Sequence, residues 1–230
     1  MDHALLDLLR SVDTPTVCNA IEVAQGRRGF AGFTRGTVVA TAPSEAMVGY
    51  AVTAKLSALE PPREEPAAIR ARRMAYYKAM WDAPKPALAV IEDLDAPDCI
   101  GAFWGEVNTT LHKALGIVGA LTNGVVRDLG DLPPGFPVVA GSVGPSHGFV
   151  HVREIGTPVT VFGLTFAQGD LVHADQHGAV VVPPEVIPQL GSAVERLRDS
   201  EQVILAPSRR GFGSWEEFEA AWAAFEAART

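Results

Sequence analysis

Along the chain, apolar residues recur either at strand spacing or at helical spacing, and these two periods divide it into elements. Residues 4–9 and 16–24 have helical spacing, and the second segment is opened by Asp13-Thr14-Pro15, where Asp or Thr can cap and Pro suits the first turn. Gly26 to Thr41, rich in glycine and arginine, reads as an irregular connection ending in a strand over 37–41. Met47 to Leu56 is a core strand by its β-forming content, and Pro86 to Asp93 is a buried parallel-type strand ending in acids. Between them, Glu60 to Pro66 carries three prolines and three glutamates and leads into a helix over 67–80, an excursion that suits a lid or a subunit contact.

The second half reads in the same way. Val107, Leu111, Ala114 and Leu115 mark a helix that starts near Gly105-Glu106, followed by a strand over 117–121 and a tight turn at Asn123-Gly124. Leu129 to Pro134 is a turn, 136–140 a strand and 142–152 a loop. Residues 159–164, 170–173 and 179–182 are strands, and the chain closes with helices over 185–205 and 214–228. The aromatic stripe Trp215, Phe218, Trp222 and Phe225 on the last helix is simplest as packing, and helices so late in the chain suit a contact with a neighbouring subunit.

Composition narrows the class. A chain of 230 residues with 47% hydrophobic content can bury a full core, and a single domain over 1–230 is expected. No apolar run reaches the ~18 residues of a spanning helix and no basic leader precedes an apolar core, so a soluble, cytoplasmic protein without membrane contact is expected. A formal charge of −8 argues against a nucleic-acid surface, which the small clusters Arg70, Arg72, Arg73 and Arg209, Arg210 do not reverse. Cys18 and Cys99 lack metal-ligand spacing and read as reduced, buried thiols.

Candidate chemistry concentrates between Trp104 and Asp128. A helix opening at Gly105-Glu106 directs free amides, those of Val107 and Asn108 among them, and the positive end of its dipole at an anion. Arg127 can grip the same carboxylate with two parallel hydrogen bonds, while Asp128 beside it suits a hard cation, and Glu106 stands at the same mouth. The plainer alternatives are a surface ion pair for Arg127-Asp128 and, for Glu106, a first-turn acid that complements the helix dipole. Elsewhere the signals are weaker. Glu92, Asp93 and Asp95 are secondary candidates at the carboxyl end of a strand. Thr14 and Asn19 read as a cap and a polar helix face, His112 as structural, and His147 and His151 as loop residues or partner contacts rather than zinc ligands. Asp175-Gln176-His177-Gly178 is a hairpin turn with no nucleophile elbow to accompany it, and no phosphate-cradling glycine loop occurs.

On Gly105-Glu106, the strand entry Gly116-Ile117-Val118-Gly119 and Asn123-Gly124-Val125-Val126-Arg127-Asp128, the sequence resembles the family containing the regulator of ribonuclease E activity A and the 4-hydroxy-4-methyl-2-oxoglutarate aldolases. Asp13-Thr14 to Ile21, Gly169 to Val172 and Asp175 to Pro183 support it, so the resemblance spans most of residues 11–190. It implies an α/β, swivelling β/β/α fold with a β-rich core flanked by helices, assembled as a homotrimer or homohexamer. It also implies that Arg127 binds a pyruvyl carboxylate together with helix-start amides, that Asp128 holds Mg²⁺ or Mn²⁺, and that Glu106 is the acid reaching metal-bound water. Aldolase members also take an acid from a neighbouring chain, for which Glu195, Glu201, Glu216 and Glu217 are available here.

The implied activity is that of a metal-dependent lyase cleaving a 4-hydroxy-2-oxo dicarboxylic acid to pyruvate through an enolate, with oxaloacetate decarboxylation as a side activity. None of Lys55, Lys78, Lys85 and Lys113 has the context of a Schiff-base lysine. The alternatives are a non-enzymatic regulator that binds a ribonuclease complex, and a related lyase or hydratase for another 2-oxo acid. Two departures bear on substrate choice: Asn123 stands where Asp is frequent, and the 60–80 segment is longer than the usual connection.

Overall fold

The computed structural model describes residues 2–229. Contacts divide them into two compact units, one running through Thr14 and including Gly32–Val182, the other comprising Pro15–Ala31 and the chain from Pro183 onward.

The first unit is built on β3 (Ala87–Asp93), the run read as a buried strand. It pairs in parallel with β2 (Met47–Ser57) on one side and β5 (Ile117–Thr122) on the other, and β5 pairs in parallel with β7 (Val138–Ala140). Alternate residues of β3 enter opposite cores. Ala87, Ala89 and Ile91 join Tyr76, Trp104 and Phe136, whereas Leu88 and Val90 join Met47, Val161 and Phe166. Burial on both faces explains a continuous apolar run where a one-faced strand would alternate.

The short β1 (Val39–Ala40) closes one edge against β7, and at the other β2 pairs antiparallel with β12 (Leu171–Asp175), which forms a hairpin with β13 (Gly178–Val181). Three further strands, β4 (Ala102–Trp104), β6 (Val125–Val126) and β8 (Ser142–Val143), make a small parallel sheet. Helices α1 (His3–Arg10), α3 (Pro66–Asp82) and α4 (Glu106–Ala114) complete this unit. The expected mixed α/β architecture, a β-rich core flanked by helices, is what the chain adopts.

The second unit contains α2 (Thr14–Gln25) from its second residue on, a single 3₁₀ turn at Pro184–Val186, α5 (Ile187–Arg210) and α6 (Trp215–Arg229). Leu190, Val194 and Leu197 are the buried stripe of α5. On α6 the aromatic residues stack along the helix, Phe218 against Trp215 and Trp222, while Trp215 and Trp222 remain 65% and 45% exposed. Among the described residues no helix is long and apolar enough to cross a membrane.

Four boundaries differ from the sequence reading. The loop read over 142–152 contains β8 and the first residues of β9 (His151–Ile155), which pairs antiparallel with the far end of β2 across a bulge. The single strand read over 159–164 is the hairpin β10 (Val159–Val161) and β11 (Leu164–Phe166). Phe162 and Gly163 both take positive φ at its turn, a conformation that Phe gives no sign of adopting. Neither Phe103-Trp104 nor Val125-Val126 is long enough to signal a strand, yet each gains a parallel partner in the other. Helix α5 continues past Pro207 to Arg210, although a proline there removes one intrahelical hydrogen bond.

Candidate active site

The parallel pairing of β4 and β6 builds the site. Trp104 aligns with Val126, and the Arg127 amide donates to the Trp104 carbonyl at 2.8 Å. Whatever follows β4 therefore lies beside whatever follows β6. Gly105 caps α4 on one side, and Arg127-Asp128 emerge on the other. This is the carboxyl end of parallel strands, where α/β proteins commonly place ligand sites.

Two local features let the segments meet. Gly105 has extended backbone, so its role is close approach: a Cβ there would stand 2.5 Å from Asp128 Oδ2 and 3.0 Å from Arg127 Cγ and Nε. Asp128 takes φ +54°, a conformation that Asp adopts more readily than most residues. The turn brings its carboxylate back over the helix start, where Oδ2 accepts from the Glu106 amide at 3.1 Å and lies 3.5 Å from Arg127 Nε.

Gly105, Val107, Asn108 and Arg127 line one cavity of about 550 Å³; Glu106 and Asp128 are not part of its lining, although Asp128 touches Arg127 and the helix start. The amides of Val107 and Asn108 belong to the first turn and have no intrahelical acceptor. The Glu106 amide is taken by Asp128, while the Glu106 side chain is exposed. The Asn108 side chain is committed to the protein: Nδ2 donates to the Phe103 carbonyl at 2.7 Å, and Oδ1 accepts from Tyr77 at 3.0 Å. Asn108 can thus offer a ligand its backbone only.

The structure adds residues that the pattern did not assign to the site. Ile69, Arg73 and Tyr77 of α3 line the same cavity at i, i+4 and i+8, so the 60–80 excursion supplies a wall. Their signal was the helical spacing, but nothing in the sequence said which element that face would meet. His147 and His151 line it too, the first exposed and the second buried at the start of β9. Beneath the cavity His112 is fully buried. It receives a hydrogen bond from Tyr76 on Nε2 and donates from Nδ1 to the Asn108 carbonyl, both at 2.6 Å, and burial pushes its pKa down to about 4. The structural role read for it holds.

The secondary acids are occupied in building. Glu92 accepts from the Thr160 amide, and Asp95 accepts from Ser57 and the amides of Ala58 and Leu59. Asp93, whose carboxyl is raised by burial, is clasped through its backbone by Asn123. Thr14 donates its amide to Asp175 and pairs its hydroxyl with His173, while Asn19 lines a separate cleft of the second unit. Asp175 and His177 pair within the β12–β13 turn. Cys18 and Cys99 form no disulfide and are half-buried, and the Cys99 thiol is pushed up to about 12 by burial and by Asp93.

Among the described residues no three His, Cys, Asp or Glu side chains gather as a metal cluster. The donor set at Asp128 nonetheless fits one kind of ion. A lone carboxylate with a third of its side chain exposed, beside an open cavity, suits a hard divalent cation that keeps several waters and takes further oxygens from a ligand. It does not suit zinc, which favours several nitrogen or sulfur ligands.

Comparison with known proteins gives a consistent family. Residues 14–181 match the family described as RraA-like, Aldolase/RraA. A Methanocaldococcus jannaschii protein of uncharacterized role is 30% identical over 112 residues, 48% of this chain and 54% of that protein. A Halalkalibacterium halodurans protein provisionally named 4-hydroxy-4-methyl-2-oxoglutarate aldolase is 29% identical over 112 residues, 48% of this chain and 52% of its own length. The chain thus spans about half the length of these two relatives. The crystal structure of Streptomyces coelicolor RraAS2, described as an unusual member of the RNase ES inhibitor RraA protein family, superposes with a TM-score of 0.64. It is 23% identical, with 96% of this chain and 97% of that one covered, a likeness of fold.

Proposed function

Because the chain belongs to the RraA-like, Aldolase/RraA family, we propose that it is a divalent-metal-dependent lyase cleaving a 4-hydroxy-2-oxo dicarboxylic acid to pyruvate, with oxaloacetate decarboxylation at the same site. The observation that supports this reading is that Arg127 and the first turn of α4 line one cavity, with the Asp128 carboxylate in contact with both Arg127 and the helix start.

In this reading Arg127 and the amides of Val107 and Asn108 bind the carboxylate next to the 2-oxo group, which fixes the substrate's orientation. Asp128 would hold Mg²⁺ or Mn²⁺, which when bound supplies Lewis acidity toward the 2-oxo oxygen. The C3–C4 bond breaks as the 4-hydroxyl loses its proton, and the bonding pair stays on the pyruvyl fragment as an enolate. Arg127 lies beside the developing charge. Glu106, exposed at the helix start, would pass protons at the mouth. The enolate then takes a proton at C3 and leaves as pyruvate. Loss of CO₂ from oxaloacetate yields the same enolate, so one site serves both reactions.

Assembly into a homotrimer or homohexamer belongs to the same proposal. The exposed Trp215 and Trp222 support a subunit contact through α6. The test is pyruvate release from 4-hydroxy-4-methyl-2-oxoglutarate and from oxaloacetate, with and without a chelator. Turnover lost with the chelator, restored by Mg²⁺ or Mn²⁺ and abolished in Arg127→Ala is the expected result. Turnover indifferent to chelator, or undiminished in Arg127→Ala, overturns it.

A further inference from the structure

We propose that Arg73 of α3 is a specificity-determining residue that binds the distal carboxylate of a dicarboxylic ligand whose proximal carboxylate sits on Arg127. This deepens the lyase reading and rests on it for the position of the first carboxylate.

The cavity has two arginines in its lining, Arg127 from the end of β6 and Arg73 from α3, and among the described residues no aspartate or glutamate lines it. In a chain of net charge −8 that is a local reversal of sign. One cation would suffice for a monocarboxylate. Two on separate elements, around a space of about 550 Å³, match a ligand with an anion at each end. Arg127 already has a carboxylate beside it in Asp128. Arg73 has none within ion-pairing distance among the described residues, whereas Arg72 one position earlier is paired with Glu64 at 2.9 Å. Of the two lining arginines, Arg73 is therefore the one left for a ligand.

Position matters as much as charge, and α3 is fixed against the site at three points. Tyr76 donates to His112, Tyr77 to Asn108, and Arg72 to the Val152 carbonyl. Asn108 is also a residue whose amide faces the proximal carboxylate, so a single side chain, Tyr77, links the two ends of the pocket. Arg73 is near enough to Tyr77 to favour its phenolate, against a larger opposing effect of burial. Ile69, one turn before Arg73, adds an apolar residue to the same wall.

The test compares calorimetric binding of pyruvate, with one carboxylate, and 2-oxoglutarate, with two, to the full-length protein in the presence of Mg²⁺. Arg73 is exposed, so Arg73→Ala is expected to fold, and Arg70→Ala on the same helix removes an equal charge outside the cavity. The expected result is that Arg73→Ala lowers the affinity ratio of 2-oxoglutarate to pyruvate by about 10- to 100-fold, that Arg73→Lys recovers part of it, and that Arg70→Ala leaves the ratio alone. An unchanged ratio in Arg73→Ala, or an equal fall in Arg70→Ala, overturns the proposal. Should wild-type protein bind both acids yet release no pyruvate from any substrate, the lyase reading fails while the ratio still decides the role of Arg73. Binding of neither acid overturns both.

Discussion

The Asp128 carboxylate reaches across to the start of α4 and accepts a hydrogen bond from the Glu106 amide at 3.1 Å, although 22 residues separate the two in the chain. That bond ties together two segments that meet only because β4 and β6 run in parallel, and it occupies the first helical amide while leaving those of Val107 and Asn108 to a ligand. Predictions for both the site and its supports follow from this arrangement.

Gly105 is expected to matter for activity more than for stability. In Gly105→Ala the new methyl would meet the ends of side chains, Asp128 Oδ2 at 2.5 Å and Arg127 Nε at 3.0 Å, which can swing aside. The fold should lose less than about 1 kcal/mol, while misplacing both anchors should cut kcat/KM on the order of 100-fold. Gly119→Ala is the contrast. There the methyl would collide with Met47 Sδ and stand 2.7 Å from the Pro137 carbonyl in the packed interior, so stability should fall. Urea melts alongside pyruvate release separate the two outcomes, and equal loss of stability in both variants would contradict the argument.

Asn123 is expected to resist replacement by the Asp found often at this place in the resembled family. Its amide serves the Asp93 backbone twice, accepting from the nitrogen at 2.7 Å and donating to the carbonyl at 3.0 Å. A carboxylate keeps the first bond and turns the second into a repulsion. Asn123→Asp should therefore destabilise by about 1–3 kcal/mol, read from the midpoint and slope of a urea titration near neutral pH. An unaltered midpoint would show that the clasp contributes nothing.

His112 is expected to make stability depend on pH. Its folded pKa of about 4 lies below the ordinary 6.5, so the unfolded chain binds the extra proton between these values. Stability is full above pH 6.5 and is lost as pH falls toward 4, by about 2–3 kcal/mol at about pH 4.5. Buried His173 is lowered as well and acts in the same sense, whereas Asp93, raised by burial, acts in the opposite sense just above the usual carboxylate value. In His112→Gln the loss of stability between about pH 7 and about pH 4.5 should shrink. An undiminished loss would assign the effect elsewhere.

Arg127→Lys is expected to be a poor substitute. An ammonium keeps the charge but not the planar pair of donors, so carboxylate binding should weaken and turnover fall by roughly tenfold or more. The measurement is KM and kcat for pyruvate release, set beside the null activity anticipated for Arg127→Ala. Parity with wild type would mean that charge alone suffices.

Much of the fold was legible in the chain. The continuous apolar run of β3 and the helical period of α4 and α5 each carry a local signal, because burial on two faces and burial on one face restrict the residues allowed. Asn123-Gly124 bends the chain as expected but without positive φ: Asn123 is held by the Asp93 backbone, and positive φ falls on Asp128. What escaped were elements whose signal lies in a partner. Two-residue strands such as β6 have no period of their own, and β9 begins at His151 in a stretch whose glycines and histidines suggest a loop.

The candidate site divides in the same way. By itself the sequence marked Gly105 to Asn108 and Arg127-Asp128, because a helix start and an adjacent cation and acid are local chemistry that neighbouring residues display. Only the tertiary structure decided that these two segments face one another, that Asn108 keeps its side chain for Tyr77 and Phe103, and that Arg73 lines the same cavity. Those relations depend on parallel strand pairing and on helix α3 packing over α4, contacts between residues far apart in the chain, and such contacts leave no mark in the order of the residues that make them.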